Sequence, residues 1–345
     1  MNAISARGVI EEIIVPSPHR RSAPCRHFGI CGGCQLQHLD YAAQCQSKAD
    51  IIRESLRRIG GIVWEQDIEV LAADEFGYRS RAELKRTPDG RLGYFQANSH
   101  DLCEVTECPI LLPTAQDKLQ TLRTQNIPKS ATRVYLTAGD TEVLATPATG
   151  ENARTAEVDA RGTVEQTILG FNYRFGVRTF FQANRLLVEQ LVCEATDEAK
   201  GRIAFDLYAG AGLFSLPLAR HFDQVYAVEG SRLSVRHGLA NAERNKVQNI
   251  RYEAVSVETW LKQPKLPRPD FVLLDPPRAG AGEPVIRRLL QHKPTVIRYV
   301  SCDPTTLARD LKILTQGGYR LTTITALDMF PQTYHIETVI KLSAN

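Results

Sequence analysis

At 345 residues with 43% hydrophobic content, the chain is long enough for two or three domains with real cores. Charged residues make up 23% and the net charge is +3, too small a bias to identify a nucleic-acid partner by itself. No run of eighteen apolar residues occurs, which excludes a membrane-spanning helix, and the leading MNAISARGVIEEIIV carries acids inside its apolar stretch, unlike a signal peptide.

Eight cysteines, four of them between positions 25 and 45, point to a cytoplasmic chain with a metal or cluster site rather than a disulfide framework. Residues 8 to 15 predict a short strand, followed by Pro16-Ser17-Pro18 and a basic patch of His19, Arg20 and Arg21. Cys25-x5-Cys31-Gly32-Gly33-Cys34 comes next, and its two glycines let the backbone turn tightly enough for both flanking thiolates to face one centre. Zinc sites are usually built from two paired knuckles, whereas here there is one C-x2-C pair with a third thiol upstream. That spacing suits an iron–sulfur cluster better, with a redox C-x-x-C as a third reading. The fourth ligand would be remote: Cys108, where Pro109 turns the chain out of the pocket, with Cys103 as its competitor.

Asp40 to Ile59 predicts a helix, capped by Asp40, with Ile51, Ile52, Leu56 and Ile59 as its apolar stripe and Gly60-Gly61 as its stop. Lys48, Arg53, Arg57 and Arg58 fall on the outer face, either solvated or against RNA phosphates. From about 68 to 175 the pattern is strand-like, with turns at Pro88-Asp89-Gly90, Gly139-Asp140 and Ala160-Arg161-Gly162. Tyr78, Arg79, Arg81, Lys85, Arg86, Arg91, Tyr94 and Phe95 interleave cations with aromatics. Such a face suits phosphates and unpaired bases, although an exposed hairpin carries similar arginines.

After Phe180-Phe181-Gln182-Ala183-Asn184 a helix is expected to about Ala199, then a strand over 204–208 and the turn Ala209-Gly210-Ala211-Gly212 leading into a helix from Phe214 to His221. A second strand, 224–228, ends in Glu229, where a carboxylate can accept both hydroxyls of a ribose. Ser215 stands in place of a third glycine, which argues against a dinucleotide and for S-adenosylmethionine. A strand over 270–274 ends in Asp275-Pro276-Pro277-Arg278. Adenine-N6 methyltransferases have an aromatic residue after these prolines, and DNA cytosine-C5 enzymes a cysteine; neither is present here.

The next apolar run, Val296 to Val300, stops at Ser301-Cys302-Asp303-Pro304 before a helical pattern of Leu307, Leu311 and Leu314. Cys302 is thereby expected at a strand's carboxyl end, the edge where open α/β sheets bind ligands, and near a helix N-terminus that favours thiolate. Its alternative is a small buried hydrophobe. At the C-terminus, 326–339 predicts two strands of an antiparallel hairpin, with His335 and Glu337 on one face of the second. A carboxyl inside an apolar strand is costly without a partner, which marks Glu337 as a functional candidate.

From Pro16 onward the chain resembles the RNA 5-methyluridine (uracil-C5) methyltransferases that act on 23S ribosomal RNA or tRNA. The resemblance rests on C-x5-CGGC-x2-QH (Cys25 to His38), SH…CP (Ser99 to Pro109), FFQ-x-N (Phe180 to Asn184), DLY-x-G-x-G (Asp206 to Gly212), DPPR-x-G (Asp275 to Gly280), SCDP-x-TLARD (Ser301 to Asp310) and DMFPQT-x-H-x-E (Asp328 to Glu337). It implies an α/β fold: a class I, Rossmann-like methyltransferase domain with a smaller, mainly β central domain carrying an iron–sulfur site. By that resemblance residues 1–36 and 69–179 form the central domain, 37–68 a helical segment docked on the catalytic domain, and 180–345 the catalytic domain. Carried over by position, Cys25, Cys31, Cys34 and Cys108 would hold a [4Fe–4S] cluster, and Gln182, Tyr208, Glu229 and Asp275 would hold S-adenosylmethionine. Cys302 would be the nucleophile and Glu337 the base. The implied partner is RNA, 23S ribosomal RNA first and tRNA second, acted on by a cytoplasmic monomer. The chain departs from the family at Leu213, where asparagine is common, and in having only residues 7 to 18 in place of a full N-terminal TRAM barrel.

Overall fold

The computed structural model describes residues 10–149 and 162–344. There are two strand-rich parts, and an N-terminal helix packs on the larger of them. Helix α1 (Tyr41–Ser55) is capped by Asp40, whose carboxylate accepts from the Ala43 N–H, and it widens into one π-turn over Leu56–Gly60 before Gly61 closes it in the left-handed region. After β1 (Glu69–Leu71) come β2 (Arg81–Arg86), β3 (Leu92–Phe95), β4 (Leu102–Glu104), helix α2 (Pro113–Leu122), β5 (Ala131–Ala138) and β6 (Val143–Thr149). A hairpin, β7 (Thr163–Ile168) and β8 (Phe171–Gly176), leads to α3 (Val188–Thr196). Then follow β9 (Gly201–Leu207), α4 (Ser215–Leu218), β10 (Phe222–Glu229), α5 (Arg232–Arg244), β11 (Ile250–Ala254), α6 (Val257–Trp260) and β12 (Phe271–Leu274). The chain ends with α7 (Glu283–His292), β13 (Val296–Ser301), α8 (Pro304–Gln316), β14 (Tyr319–Leu327) and β15 (Glu337–Ala344).

Among the described residues an eight-stranded sheet has the order β1-β14-β15-β13-β12-β9-β10-β11, parallel except for β15. Its strand order reverses between β9 and β12, so the crevice at their carboxyl ends is the topological switch point at which such sheets bind ligands. The central strands are buried on both faces and read as continuous apolar runs, which is why 271–274 and 296–300 were legible. A five-stranded antiparallel sheet, β4-β3-β2-β5-β6, packs on α2 around Leu84, Leu119, Val134 and Leu136. The β7–β8 hairpin places Val164, Tyr173 and Phe175 in the core of the eight-stranded sheet, beside Leu191 and Phe214. No described helix is long and apolar enough to cross a membrane.

Several sequence expectations change. Residues 10–15 are exposed and pair with no strand. The helix expected over 214–221 shortens to Ser215–Leu218, because Phe222 already starts β10, and the one expected to 199 stops at Thr196. Ile51 and Ile59 are exposed, while Gln44, Lys48, Ile52 and Leu56 turn inward. Lys48 is therefore no surface cation. Its ammonium donates to Asp328 Oδ1 at 2.6 Å and to the Phe330 carbonyl at 3.2 Å, with both ion-pair side chains fully buried. Burial pushes the ammonium down and the carboxyl up, and each partner offsets part of the other's shift. Removing one member of such a buried pair typically costs about 3–5 kcal/mol, because the other is left uncompensated. The turn expected at Ala160-Arg161-Gly162 begins outside the described residues, as does the start of the strand expected over 8–15.

Candidate active site

Strands β13 and β15 are antiparallel, with Ser301 opposite Thr338. Cys302 follows directly after β13 and Glu337 opens β15, close enough for the Glu337 carboxyl to act on the thiol. Across the parallel pair β12–β13, Leu274 lies opposite Tyr299, so Asp275 falls level with Val300 and faces the same way as Cys302. Asp206, opposite Leu273, also shares that face. A thiol and three carboxyl groups from four neighbouring strands therefore line one edge of the sheet.

Asp206 and Glu337 are buried and Asp275 is partly so, which sets their chemistry. Burial, then the neighbouring Asp275, holds the Glu337 carboxyl well above the usual carboxylate range. Burial lifts Asp275 to about 7, with Asp206 adding to the shift. Asp206 also rises to about 7 through burial, although the Ser215 hydroxyl donates to its Oδ2 at 2.5 Å. Its Oδ1 has no hydrogen-bond partner. Cys302 is half-buried, and its thiol is pushed up to about 11 by burial, with Glu337 adding to the rise and Arg278 opposing it. This corrects the expectation of a thiolate favoured by the helix terminus. The first N–H groups of α8, those of Thr305 and Thr306, are taken by Asp303 Oδ1 at 2.9 and 3.0 Å, and burial outweighs what remains.

The glycine turn sits one strand away. Tyr208, Gly210 and Gly212 all have positive φ, and for Tyr208 this is a strained conformation held by N–H bonds from Tyr208 and Ala209 to the Val228 carbonyl. A Cβ on Gly212 would lie 2.3 Å from the Tyr252 hydroxyl, whereas one on Gly210 would meet nothing within 4 Å. The turn is thus packed from below and open above. Glu229 accepts from Gly210 N–H at 3.0 Å and Ser231 N–H at 2.7 Å, one to each oxygen, so each oxygen keeps lone pairs for a further donor. Leu213 is buried in the core, and its carbonyl accepts the Tyr173 hydroxyl at 2.9 Å, so its side chain serves packing. Gln182 is buried between Phe181, stacked on Phe175, and Asn184. Asn184 caps the approach to α3 through Leu186 and Leu187 and reaches the Asp328 and Met329 carbonyls. His335 precedes β15, and its Nε2 accepts from Arg278 at 2.9 Å; the strand itself starts at Glu337, so the shared strand face expected for these two does not form.

The second cluster lies at the five-stranded sheet. Cys25, Cys31, Cys34 and Cys108 line one cavity of about 100 Å³, on a scale where a single water needs roughly 10–15 Å³. Gln37 Oε1 accepts from the Cys25 N–H and Gln116 Oε1 from the Cys108 N–H, which fixes the backbone at both ends of the set. Cys103 is buried in β4 opposite Tyr94, 3.8 Å from His27 Nδ1, and is not among the lining residues. Among the described residues no group of three or more such side chains is close enough for a single metal ion. The four thiols that line this cavity come from two separate stretches of the chain, 25–34 and Cys108.

Sequence reasoning put Lys48 on the outer helix face and gave no role to Asp206, a shared member of the acidic edge, or to Asp310. The last is fully buried and accepts from Ala281 N–H, Gly282 N–H and the Tyr299 hydroxyl, fastening the loop that carries Arg278. A charged residue one helical turn from Ile52, and acids quoted within motifs but given no role, were the available signals.

A family model described as tRNA (Uracil-5-)-methyltransferase matches residues 158–345. The chain is 34% identical to the 23S rRNA (uracil(1939)-C(5))-methyltransferase RlmD of Pseudomonas entomophila, over 99% of this chain and 85% of that one. It is 33% identical to the RlmD of Cronobacter sakazakii, over 97% and 84%. The structure of Pyrococcus abyssi tRNA (uracil-54, C5)-methyltransferase in complex with S-adenosyl-L-homocysteine superposes with a TM-score of 0.75 at 28% identity, covering 96% of this chain and 88% of that one. The switch-point site and these likenesses define a Rossmann-like methyltransferase. The chain belongs to the tRNA (uracil-5-)-methyltransferase family, and its activity class is RNA uracil-C5 methylation.

Proposed function

We propose that this protein methylates carbon 5 of one uridine in 23S ribosomal RNA through a covalent bond between Cys302 and carbon 6. The observation that carries the mechanism is the facing pair at the end of β13 and β15: a thiol and a buried carboxyl on neighbouring strands, beside Asp275. Carbon 5 of uracil is a poor nucleophile. Attack of the Cys302 sulfur on carbon 6 turns the ring into an enolate, which activates carbon 5 and divides one hard step into easier ones. Once carbon 5 has gained the methyl group, Glu337, in its ionised form, takes the hydrogen from carbon 5, and elimination re-forms the ring double bond and frees Cys302 as thiolate. Its raised pKa makes the ionised carboxylate a stronger proton acceptor than an ordinary one. Burial of both groups requires the uridine to leave its stack, so the target lies in an unpaired or opened stretch.

S-adenosylmethionine, bound at the switch point, supplies an electrophilic methyl group on a sulfonium. The residues present fit it: Glu229 retains acceptor sites for a ribose, the space above Gly210 is open, and a bound sulfonium would favour the ionised form of the neighbouring Asp275. Gln182, Tyr208, Glu229 and Asp275 are the proposed contacts. Cys25, Cys31, Cys34 and Cys108 are proposed to hold a [4Fe–4S] cluster that cross-links the segment 25–34 with the loop after β4, while α1 docks on α8 of the part that performs the chemistry. Burial pushes the Cys31, Cys34 and Cys108 thiols up to about 11, so ligation must release their protons. Protein purified without oxygen should be brown, with iron and sulfide in equal amounts. Cys108→Ser should lose the colour and Cys103→Ser should keep it; stoichiometric zinc without sulfide would show the site to be misread.

Two relatives that match nearly the whole chain act on 23S rRNA by name, which favours ribosomal RNA. The archaeal structural likeness supports tRNA as the second reading. Mapping 5-methyluridine in total RNA from a deletion strain decides between them. Loss at one 23S position with tRNA unchanged is the expected result, and loss confined to tRNA would favour the second reading.

A further inference from the structure

The segment Asp328–His335 is gripped along its length by the N-terminal part of the chain. Lys48 holds Asp328, and the Tyr78 hydroxyl donates to the Pro331 carbonyl at 2.9 Å. The Gln332 carbonyl accepts the Gln35 and Leu36 N–H groups at 2.8 and 3.0 Å, its own N–H reaches Gln44 Oε1, and its side chain donates to Glu75 at 2.7 Å. Gln332 is fully buried at a positive φ of 69°, so the surroundings impose this bend. The Thr333 hydroxyl then donates to the Phe330 carbonyl and accepts the His335 N–H.

Out of this clamped turn one side chain projects. Tyr334 is 56% exposed between the buried Thr333 and the fully buried Ile336. Its ring lies 4.3 Å from that of His335, which stands edge-on to Phe330 at 6.0 Å and accepts a hydrogen bond from Arg278. Arg278 ties these rings to the loop that carries the thiol: its side chain donates to His335, and its carbonyl accepts the hydroxyl of Thr306, four residues after Cys302. Burial, with Arg278 next, lowers His335 to about 4, which leaves the imidazole neutral. A singly exposed tyrosine is ordinary on a protein surface. A rigidly seated one, three residues before the candidate base and backed by a second ring, is a preformed stacking face whose ordering entropy has already been lost on folding.

We propose that Tyr334, backed by His335, is a stacking platform for an unpaired RNA base directly flanking the target uridine. The inference rests on the reading of the substrate as RNA with an extruded uridine. Once that uridine leaves its stack its neighbour loses a partner, and an aromatic face beside the pocket replaces it. Tyrosine suits the task because it offers ring area without added charge, so the contact is insensitive to salt, unlike phosphate contacts.

The test is a double-mutant cycle with a short single-stranded RNA that the wild type methylates, and with versions abasic at each of the two nucleotides on either side of the target. Alanine substitution of a base-stacking aromatic weakens binding roughly 5- to 100-fold, so Tyr334→Ala should raise Kd and KM by that factor at every salt concentration. S-adenosylhomocysteine affinity and Tm should stay at the wild-type values, and Tyr334→Phe should recover binding to within about twofold. One abasic position should weaken wild-type binding equally and produce no further loss in Tyr334→Ala. Tyr334→Ala binding within about twofold of wild type, or losses that add at every abasic position, would overturn the proposal. A wild type that methylates no RNA would instead overturn the functional reading beneath it.

Discussion

Cys302→Ala should lower methylation on the order of 10⁴-fold or more, the scale on which removing a nucleophile disables a covalent enzyme. Affinity for S-adenosylmethionine should be retained, because the glycine turn and Glu229 lie across the switch point from this residue. The fold tolerates the change. Cys302 is half-buried at a loop, and the anchors around it belong to Ser301, whose hydroxyl accepts the Asp303 N–H, and to Asp303, which caps α8. Cofactor binding is read by calorimetry and methylation by transfer of labelled methyl groups to RNA. Turnover near the wild-type rate would remove the covalent mechanism, and joint loss of binding and turnover would indicate a structural role for the thiol.

Glu337→Gln should separate attack from proton removal. The amide keeps the shape of the carboxyl at a position only 2% exposed, so the packing between β13 and β14 is preserved. The neutral amide adds no charge beside the Cys302 thiol, whose rise is set first by burial, so attack is left intact. Without an acceptor for the carbon 5 hydrogen, elimination stalls. Turnover should fall roughly 10²- to 10⁴-fold, as for loss of a general base, while a protein–RNA adduct that survives denaturant accumulates on ordinary uridine substrate. If turnover falls and no adduct forms, Glu337 acts before or during attack, and the assignment of the base is wrong.

The catalytic sheet was legible because its central strands are buried on both faces. The apolar run 271–274 ends in Asp275 and the run 296–300, apolar but for Arg298, ends at Ser301, and the carboxyl edge of such a sheet is where polar groups serve a ligand. Glu337 stood out as an acid inside an apolar strand. Lys48 did not, because its partner lies 280 positions away and helical periodicity cannot reveal a distant buried carboxyl. The three-residue β1, which extends the sheet beside β14, is too short to carry a period-two signal. The β7–β8 hairpin reads as another strand pair of the central part, yet its Val164, Tyr173 and Phe175 pack into the core of the larger sheet, a tertiary choice that alternation does not encode. The thiol's rise also lay beyond sequence reasoning, since the helix terminus was visible while the burial and the carboxyl opposite it were not.

The most direct measurement replaces the target uridine with 5-fluorouridine in an RNA the protein methylates, adds S-adenosylmethionine, and follows the mixture by denaturing electrophoresis and peptide mass mapping. Fluorine does not leave as a proton, so the reaction should stop after methyl transfer. The predicted result is a stable one-to-one complex whose methylated nucleotide is joined to the peptide containing Cys302. Failure to form any complex while the ordinary uridine RNA is methylated, or a linkage to another residue, would contradict the account.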